Sequence, residues 1–217
     1  MQFIPQGGRE VDFRKHLSEN SAVLILILVN TAICIALSAF PGLSDFFLLD
    51  PGIDTAAKRP WTLFTVFFSH NVLIHIALNM FLVLVFGTKL RAETSSNTVY
   101  AVYIACGLIG SLTILAYAPW IGYDGGPVAG ASAAAFGLVS AYAALQPDRV
   151  ILKSKSKYWA VALFVVNAVL TVQNPRVSVG GPAHAAGIAA GLILGTMLKR
   201  RRSAESRNRG ASSGAAQ

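Results

Sequence analysis

Charge is scarce along most of this 217-residue chain, in which only 13% of the residues are Asp, Glu, Lys or Arg. Soluble domains carry about 25%. Long stretches hold no charge at all, and 54% of the residues are hydrophobic. This composition excludes a disordered chain and a soluble nucleic-acid-binding domain. With only two cysteines, a secreted module held by disulfides is excluded as well. We therefore expect a membrane protein.

Six uncharged apolar runs predict six transmembrane helices. A helix that crosses the hydrocarbon core needs about 20 residues, and no segment alternates in the manner of membrane barrel strands. The fifth run is the shortest, and the second contains a lead-in before its span. The expected fold is an all-α polytopic membrane protein with runs at residues 21–40, 61–87, 99–121, 128–145, 158–172 and 182–198.

Basic residues predict the orientation of these spans. If the N-terminus is cytoplasmic, fifteen of the eighteen Lys and Arg residues fall on the cytoplasmic side, as such residues do in membrane proteins. Residues 1–20 are then a cytoplasmic segment, 21–198 the membrane domain, and 199–217 a basic, disordered cytoplasmic tail. Acidic residues before the first run argue against a signal peptide or presequence. A bacterial plasma membrane is the simplest setting.

Polar residues recur near the start of three runs. In this topology the second, fourth and sixth runs begin on the outer side, and there they carry His70, His75 and Asn79, then Ser132, then His184. Polar groups in lipid are costly and mark functional sites by default. Taken singly, a serine bonded to its own backbone or a histidine bridging two helices is the simpler explanation. Their shared depth favours one common site.

Ser132 and His184 have the surroundings of a nucleophile and its base. A glycine-rich segment, residues 122–130, precedes Ser132 and predicts that the serine begins a helix, where free backbone N–H groups can stabilise an oxyanion. After His184, glycines recur every four residues at Gly187, Gly191 and Gly195, a face that permits close helix packing. Histidine is suited to deprotonating a serine near neutral pH.

Carboxylates are missing from all six runs, because all ten Asp and Glu residues lie outside them. Aspartyl and zinc proteases of the membrane are therefore disfavoured, since they need intramembrane Asp pairs or a His-Glu-x-x-His helix. We expect a Ser/His dyad whose imidazole is oriented by packing, with no metal and no cofactor. His75 and Asn79 are four residues apart, so they share a helical face and can offer donors to the oxyanion.

Three motifs together resemble the rhomboid family of intramembrane serine proteases, over residues 21–198. They are Gly130-Ala131-Ser132, the His75-x-x-x-Asn79 element, and Ala183-His184-x-x-Gly187-x-x-x-Gly191. The resemblance implies a six-helix rhomboid-like bundle, with Ser132 as nucleophile, His184 as general base, and the Ser132 N–H, His75 and Asn79 around the oxyanion. It also implies transmembrane protein substrates, cleaved among membrane lipids from a cavity open to the outer side.

The chain departs from the rhomboid pattern at three positions. Ala133 replaces a common glycine, Phe136 replaces a tyrosine that packs under the histidine, and Thr62 stands where many members have arginine. Phenylalanine keeps the ring surface, so the predicted dyad is retained. Without the arginine, the sequence does not predict the conformation of the first outer loop, residues 41–60. Its apolar residues 46–49 either lie in the membrane interface or are buried.

Two other functions fit parts of the sequence. One is an inactive rhomboid-like protein that binds membrane clients, which the presence of both Ser132 and His184 disfavours. The other is a small transporter or proton channel with His70, His75 and His184 as a relay, which the lack of an intramembrane carboxylate disfavours. For a protease, the short fifth run and residues 174–181 are the predicted moving element that admits substrate.

Overall fold

The computed structural model describes residues 19–173 and 179–214, with side chains up to residue 208. Its first half contains α1 (Ser21–Ala39), a 3₁₀ turn at Pro41–Leu43, α2 (Ser44–Phe47), α3 (Ile53–Lys58), α4 (Thr62–Thr65) and a second 3₁₀ turn at Val66–Phe68. Then come α5 (Leu73–Leu82), which continues through a π-helical turn at Val83–Gly87 into α6 (Thr88–Glu93), and α7 (Ser96–Ile121). The second half contains α8 (Ser132–Leu145), β1 (Val150–Ile151), β2 (Ser154–Lys155), α9 (Ser156–Gln173) and α10 (Gly180–Gly214).

Five helical stretches are long and apolar enough to cross a membrane. They are Ser21–Ala39, Leu73–Glu93, Ser96–Ile121, Ser156–Gln173 and Gly180–Asn208. The prediction of an all-α polytopic membrane bundle is confirmed. Within the described ranges, regular strands occur only in a small hairpin in which Val150 pairs with Lys155 and Ile151 with Ser154.

The fourth predicted span is shorter than expected. The run from 128 to 145 forms a helix only from Ser132, so α8 has 14 residues, about 21 Å at 1.5 Å per residue. The residues before it are not helical, because Val128 pairs with Leu49 through two backbone hydrogen bonds, of 2.8 and 3.0 Å. Gly130 has a φ of +150°, which a helix does not permit. Irregular backbone at membrane depth is tolerated when protein surrounds it.

Protein surrounds α8 on most of its surface. Twelve of its fourteen residues are buried, and it packs against α7, α9 and α10. A helix covered by its neighbours does not have to match the thickness of the bilayer by itself. The predicted six-helix bundle is therefore present as five long helices around one short, central one.

Other boundaries also differ from the sequence prediction. The fifth run, expected to be the shortest, forms an 18-residue helix because α9 starts at Ser156 and ends at Gln173. In the second run the helix begins only at Leu73, so His70 precedes it. Helix α10 begins at Gly180, before Pro182, and continues to Gly214. The tail that we expected to be disordered from residue 199 is thus helical as far as it is described.

A buried polar network joins α1, α7 and the turn after α4. The Tyr103 hydroxyl donates to the Phe67 carbonyl at 2.7 Å and accepts from the Asn30 side chain at 3.0 Å. Asn30 also donates to the Leu26 carbonyl of its own helix, at 2.8 Å. Neither Tyr103 nor Asn30 is exposed at all. The network fixes Phe67, whose ring fills the space above Gly107 of α7.

Candidate active site

Ser132 and His184 meet at one end of the bundle, where α5, α8 and α10 all begin. Ser132 is the first residue of α8, and His184 lies in the first turns of α10. The Ser132 Oγ is 2.5 Å from the His184 Nε2. The Phe136 ring, one turn along α8, lies against the imidazole with a centroid distance of 4.9 Å. The two side chains that the sequence paired are therefore in direct contact, on two neighbouring helices.

Glycines of α10 make this contact possible. A Cβ added at Gly187 would lie 2.9 Å from the carbonyl carbon of Ala133, and one at Gly191 would lie 2.9 Å from that of Gly137. Both distances are well below the 3.5–4.0 Å of a normal carbon–carbon contact. Only glycine lets the backbones of α8 and α10 approach this closely, and the approach sets the distance between Ser132 and His184.

Backbone N–H groups and His75 surround the space beside Ser132. The first N–H groups of a helix have no partner within the helix and carry the positive end of its dipole, and the first two residues of α8, Ser132 and Ala133, line this space. The His75 ring packs against Gly130, where an added Cβ would lie 2.6 Å from the His75 Cε1. Gly130 is thus required both for its backbone conformation and for the close approach of His75.

Asn79 is hydrogen-bonded to His70. It is 2% exposed, and its Nδ2 lies 3.1 Å from the Nε2 of His70. The backbone N–H of Ala131 also points at this nitrogen, at 3.4 Å. Because an N–H can only donate, the His70 Nε2 is an acceptor. His70, which Asn79 contacts, therefore stabilises the backbone just before Ser132. A role of Asn79 at the oxyanion stays a prediction.

His70 is a site residue whose role the sequence did not indicate. It is fully buried, and its Nδ1 has no hydrogen-bond partner within the described part of the chain. Its ring lies edge-on to that of His75, with centroids 5.1 Å apart. The sequence joined the two histidines only in the alternative of a proton relay. The structure instead separates their tasks: His70 supports the backbone of Ala131, and His75 faces the open space.

Asn167 of α9 is the second residue that the sequence analysis overlooked. Its Oδ1 is 2.7 Å from the His184 Nδ1, and its Nδ2 donates to the Gly181 carbonyl at 2.9 Å. We expected the imidazole to be oriented by packing alone. A signal was available, because Asn167 is a polar residue inside an apolar run and such residues are functional candidates. It was missed because it belongs to none of the three motifs.

A cavity of about 170 Å³ opens onto the paired side chains. Its lining includes Ser132, His184, His75 and Gly130, together with Gly110 and Ser111 of α7. A water molecule needs only about 10–15 Å³ of such volume, so several can enter. A larger groove of about 460 Å³ lies between α8, α9 and α10, but residues such as Ala143, Phe164 and Ile188 line it. Of these two cavities, the smaller one brings a hydroxyl and an imidazole together.

The described part of the chain holds no cluster of metal ligands beside this site. In the ranges 19–173 and 179–214, no three His, Cys, Asp or Glu side chains are grouped as metal ligands would be. The polar groups at the cavity are hydroxyl, imidazole and amide. This set is suited to nucleophilic acyl transfer.

The family to which the chain belongs follows from a comparison with known domains. The family model described as Rhomboid domain matches residues 57–201, which is two thirds of the chain. The chain belongs to the rhomboid family. No curated protein matches it at a significant level. Members of this family act on transmembrane protein substrates, and the apolar helices make this rhomboid an integral membrane protein.

The departures from the usual rhomboid pattern are accommodated locally. The methyl group of Ala133 occupies the space left by Gly110 of α7, where an added Cβ would lie 2.5 Å from it. Phe136 keeps its ring on His184 without the hydroxyl of the usual tyrosine. Both substitutions leave the contact between Ser132 and His184 intact.

The loop at residues 41–60 of this rhomboid is held by an arginine at another position. Thr62 lacks the guanidinium that many members carry there, but Arg59 donates to the Asp45 carbonyl at 2.8 Å and pairs with its carboxylate at 3.1 Å. Of the apolar residues in this loop, Leu48 and Leu49 are buried, whereas Phe46 is 52% exposed. Burial is therefore observed for Leu48 and Leu49, and a position of Phe46 in the membrane interface stays a prediction.

Proposed function

We propose that this rhomboid is a serine endopeptidase that cleaves transmembrane segments of other membrane proteins through an acyl-enzyme on Ser132. The observation that carries the proposal is the 2.5 Å contact of the Ser132 Oγ with the His184 Nε2 beside a cavity lined by polar groups. A serine hydroxyl becomes a nucleophile when an adjacent base accepts its proton. In this geometry His184 is that base.

The reaction proceeds in two halves. The His184 Nε2 takes the hydroxyl proton as the Ser132 Oγ attacks the scissile carbonyl, and the imidazolium then gives that proton to the leaving amine. A water molecule next loses a proton to His184 and attacks the acyl carbon, which releases the new carboxyl end and restores the serine hydroxyl. The negative oxygen formed in each half faces the first N–H groups of α8 and His75. Each such donor contributes about 10²–10³-fold to a rate in known enzymes.

The substrate has to present an extended backbone to Ser132. A transmembrane helix hides its carbonyl groups in hydrogen bonds, so a segment that unwinds readily is the preferred substrate. Glycine and proline weaken a helix, and small side chains suit a cavity of about 170 Å³. We therefore expect cleavage near such residues, close to the outer membrane surface.

Substrate entry is proposed to occur by movement of α9. Only 17% of its apolar window is buried, against 33% to 44% in the four other long helices. Weakly packed elements open at low free energy. Residues 174–178 of the proposed moving element lie outside the described residues. A disulfide between α9 and α5 is expected to abolish cleavage until it is reduced, and unchanged cleavage in the oxidised form would contradict this route.

The orientation with both termini in the cytoplasm of a bacterial cell remains part of the proposal. It is supported by the position of fifteen of the eighteen basic residues. Reporter fusions to the C-terminus and to the loop between α7 and α8 test it. A reporter active only in the cytoplasm should work on the C-terminus and fail in the loop. The opposite pattern would reverse the topology.

The deciding experiment compares Ser132→Ala and His184→Ala with the wild type. The purified protein is treated with a fluorophosphonate probe and, separately, with a test transmembrane substrate. Both labelling and cleavage should vanish in the two variants. Ser140→Ala is a matched control, because Ser140 is a buried serine of the same helix about 12 Å further along it. This variant should keep both activities.

The two other functions give different results in the same experiment. An inactive client-binding protein would neither be labelled nor cleave, but would still bind transmembrane segments. A transporter or channel based on a histidine relay would lose its flux in His184→Ala and keep it in Ser132→Ala. Cleavage that persists in Ser132→Ala would exclude the acyl-enzyme.

A further inference from the structure

We propose that Asn167 positions the general base, so that this rhomboid uses a Ser132–His184–Asn167 arrangement whose third member lies on α9. The inference rests on the proposed function, in which His184 is the base. Its observations are separate from those that carry the proposed function. They are the 2.7 Å distance between the Asn167 Oδ1 and the His184 Nδ1, and the 7% exposure of Asn167.

The orientation of the Asn167 amide is fixed by a second hydrogen bond. The Gly181 carbonyl, 2.9 Å away, can only accept, so the group facing it is the amide NH₂. The Oδ1 therefore faces His184 and can only accept in turn. The neutral imidazole must then carry its proton on Nδ1 and donate it to Asn167. This leaves the Nε2 lone pair directed at the Ser132 hydroxyl, which is the tautomer that a base requires.

The amide also limits rotation of the ring. A histidine bonded at one ring nitrogen only can turn about its side-chain torsions, whereas His184 is held at Nδ1 by Asn167, at Nε2 by Ser132, and on its face by Phe136. In serine proteases a carboxylate has this orienting task, and its replacement by an amide that disrupts the tautomer lowers kcat by about 10⁴. Here a correctly placed amide performs it without a charge, which suits a site that excludes carboxylates.

The position of Asn167 on α9 connects the base with the least buried helix. Asn167 is one of only three buried residues of α9, with Ser156 and Ala160. The two hydrogen bonds of its side chain both cross to α10, at Gly181 and His184. If α9 moves away, the imidazole loses its partner at Nδ1. The site is therefore fully oriented only while α9 is docked, and a substrate that displaces this helix reaches an active base only after the helix returns.

The test replaces Asn167 by leucine and by aspartate in the full-length protein. Asn167→Leu keeps the approximate volume and removes the acceptor, so kcat should fall roughly 10- to 100-fold, less than the value for a carboxylate triad, with KM little changed. Asn167→Asp restores an acceptor at Nδ1, so it should recover part of the lost kcat. Its carboxylate also stabilises the imidazolium. The rise of kcat/KM with pH should then move to higher pH.

Two readouts separate positioning from a structural or gating role. A fluorophosphonate is small, and we expect it to reach the cavity of about 170 Å³ without movement of α9. Labelling of Ser132 should then slow in Asn167→Leu by the same factor as substrate cleavage. Nitrogen NMR of histidine-labelled protein, with His184→Ala to assign the signals, should show the Nδ1–H form in the wild type and lose it in Asn167→Leu. His75, the other titratable side chain at the cavity, is unchanged in all of these variants.

Thr171→Val is the matched control, because the one hydrogen bond of the Thr171 hydroxyl among the described residues goes to the Asn167 backbone carbonyl within α9, and valine keeps the shape of the side chain that packs against Gly181. It should behave as the wild type. Slow cleavage with normal probe labelling in Asn167→Leu would assign Asn167 to gating and overturn the inference. So would an unchanged tautomer, or an unshifted pH profile in Asn167→Asp. If the wild type itself did not cleave, the proposed function would fail, and the NMR signal would still decide whether Asn167 orients His184.

Discussion

Alanine substitutions along the glycine face of α10 should lower activity in proportion to their closeness to His184. A Cβ at Gly187, Gly191 or Gly195 would lie 2.9, 2.9 or 2.8 Å from a carbonyl carbon of α8. A normal contact is about 3.5–4.0 Å, so each alanine forces α8 and α10 apart by about 1 Å at its own level. The three steric overlaps are nearly equal, but the three glycines lie at different distances from His184 along α10.

The distance from the site decides the effect on activity. Gly187 is three residues from His184, about 4.5 Å along the helix, and Gly195 is eleven residues away, about 16 Å. A separation of about 1 Å at Gly187 moves the Ser132 Oγ and His184 Nε2 from 2.5 Å to about 3.5 Å, beyond hydrogen-bond range. A misplacement of 1 Å costs about 10²-fold in rate. We expect that loss for Gly187→Ala and less than tenfold for Gly195→Ala.

Stability should not follow the same order. Overpacking costs about 1–3 kcal/mol, and alanine regains about 1 kcal/mol through its higher helix propensity. All three variants should therefore lose about 0–2 kcal/mol, measured by thermal unfolding in detergent, while probe labelling and substrate cleavage diverge. Wild-type activity in Gly187→Ala, or an equal loss of activity in Gly195→Ala, would refute the role of this face in setting the catalytic distance.

Three further predictions concern single contacts. Phe136→Ala removes the ring on His184, a contact worth about 0.5–1.5 kcal/mol, so probe labelling should slow about 2- to 10-fold. Phe136→Tyr keeps the ring and should label at the wild-type rate. Tyr103→Phe leaves the buried Phe67 carbonyl unpaired and should lower the free energy of unfolding by about 1–3 kcal/mol, as measured by thermal unfolding. The pKa of Asp148 is lowered by hydrogen bonds from the lysine in the first turn of α9 and from the lysine that ends β2. The ion pairs of the Asp148 carboxylate therefore stabilise the fold at neutral pH, and this stabilisation is lost as the pH falls through the lowered pKa. Asp148→Asn should lower the melting temperature slightly at pH 7 and not in acid.

Local patterns were sufficient for much of this molecule. Uncharged runs gave the apolar helices, because a long uncharged segment has few stable environments other than lipid. The four-residue spacing from His184 through Gly187 and Gly191 indicated a close helix contact, since residues at this interval share one face. The shared depth of Ser132 and His184 in two such runs predicted that these residues meet.

Other features depended on which segments meet in space. The length of α8 could not be predicted from its composition, because burial by α7, α9 and α10 allows a 14-residue helix where lipid would require a longer one. The partner of the His184 Nδ1 lies 17 residues away on another helix, and the Ala131 N–H meets His70 across 61 residues.

The sequence by itself therefore determined the class of the protein, its apolar spans and the two side chains that react in the proposed mechanism. Only the tertiary structure decided how those side chains are held, with Asn167 behind His184, and His70 and Asn79 below the Ser132 segment. The physical reason is that hydrophobicity and helical period act along the chain, whereas a buried polar atom has to be satisfied by whichever group the fold brings to it.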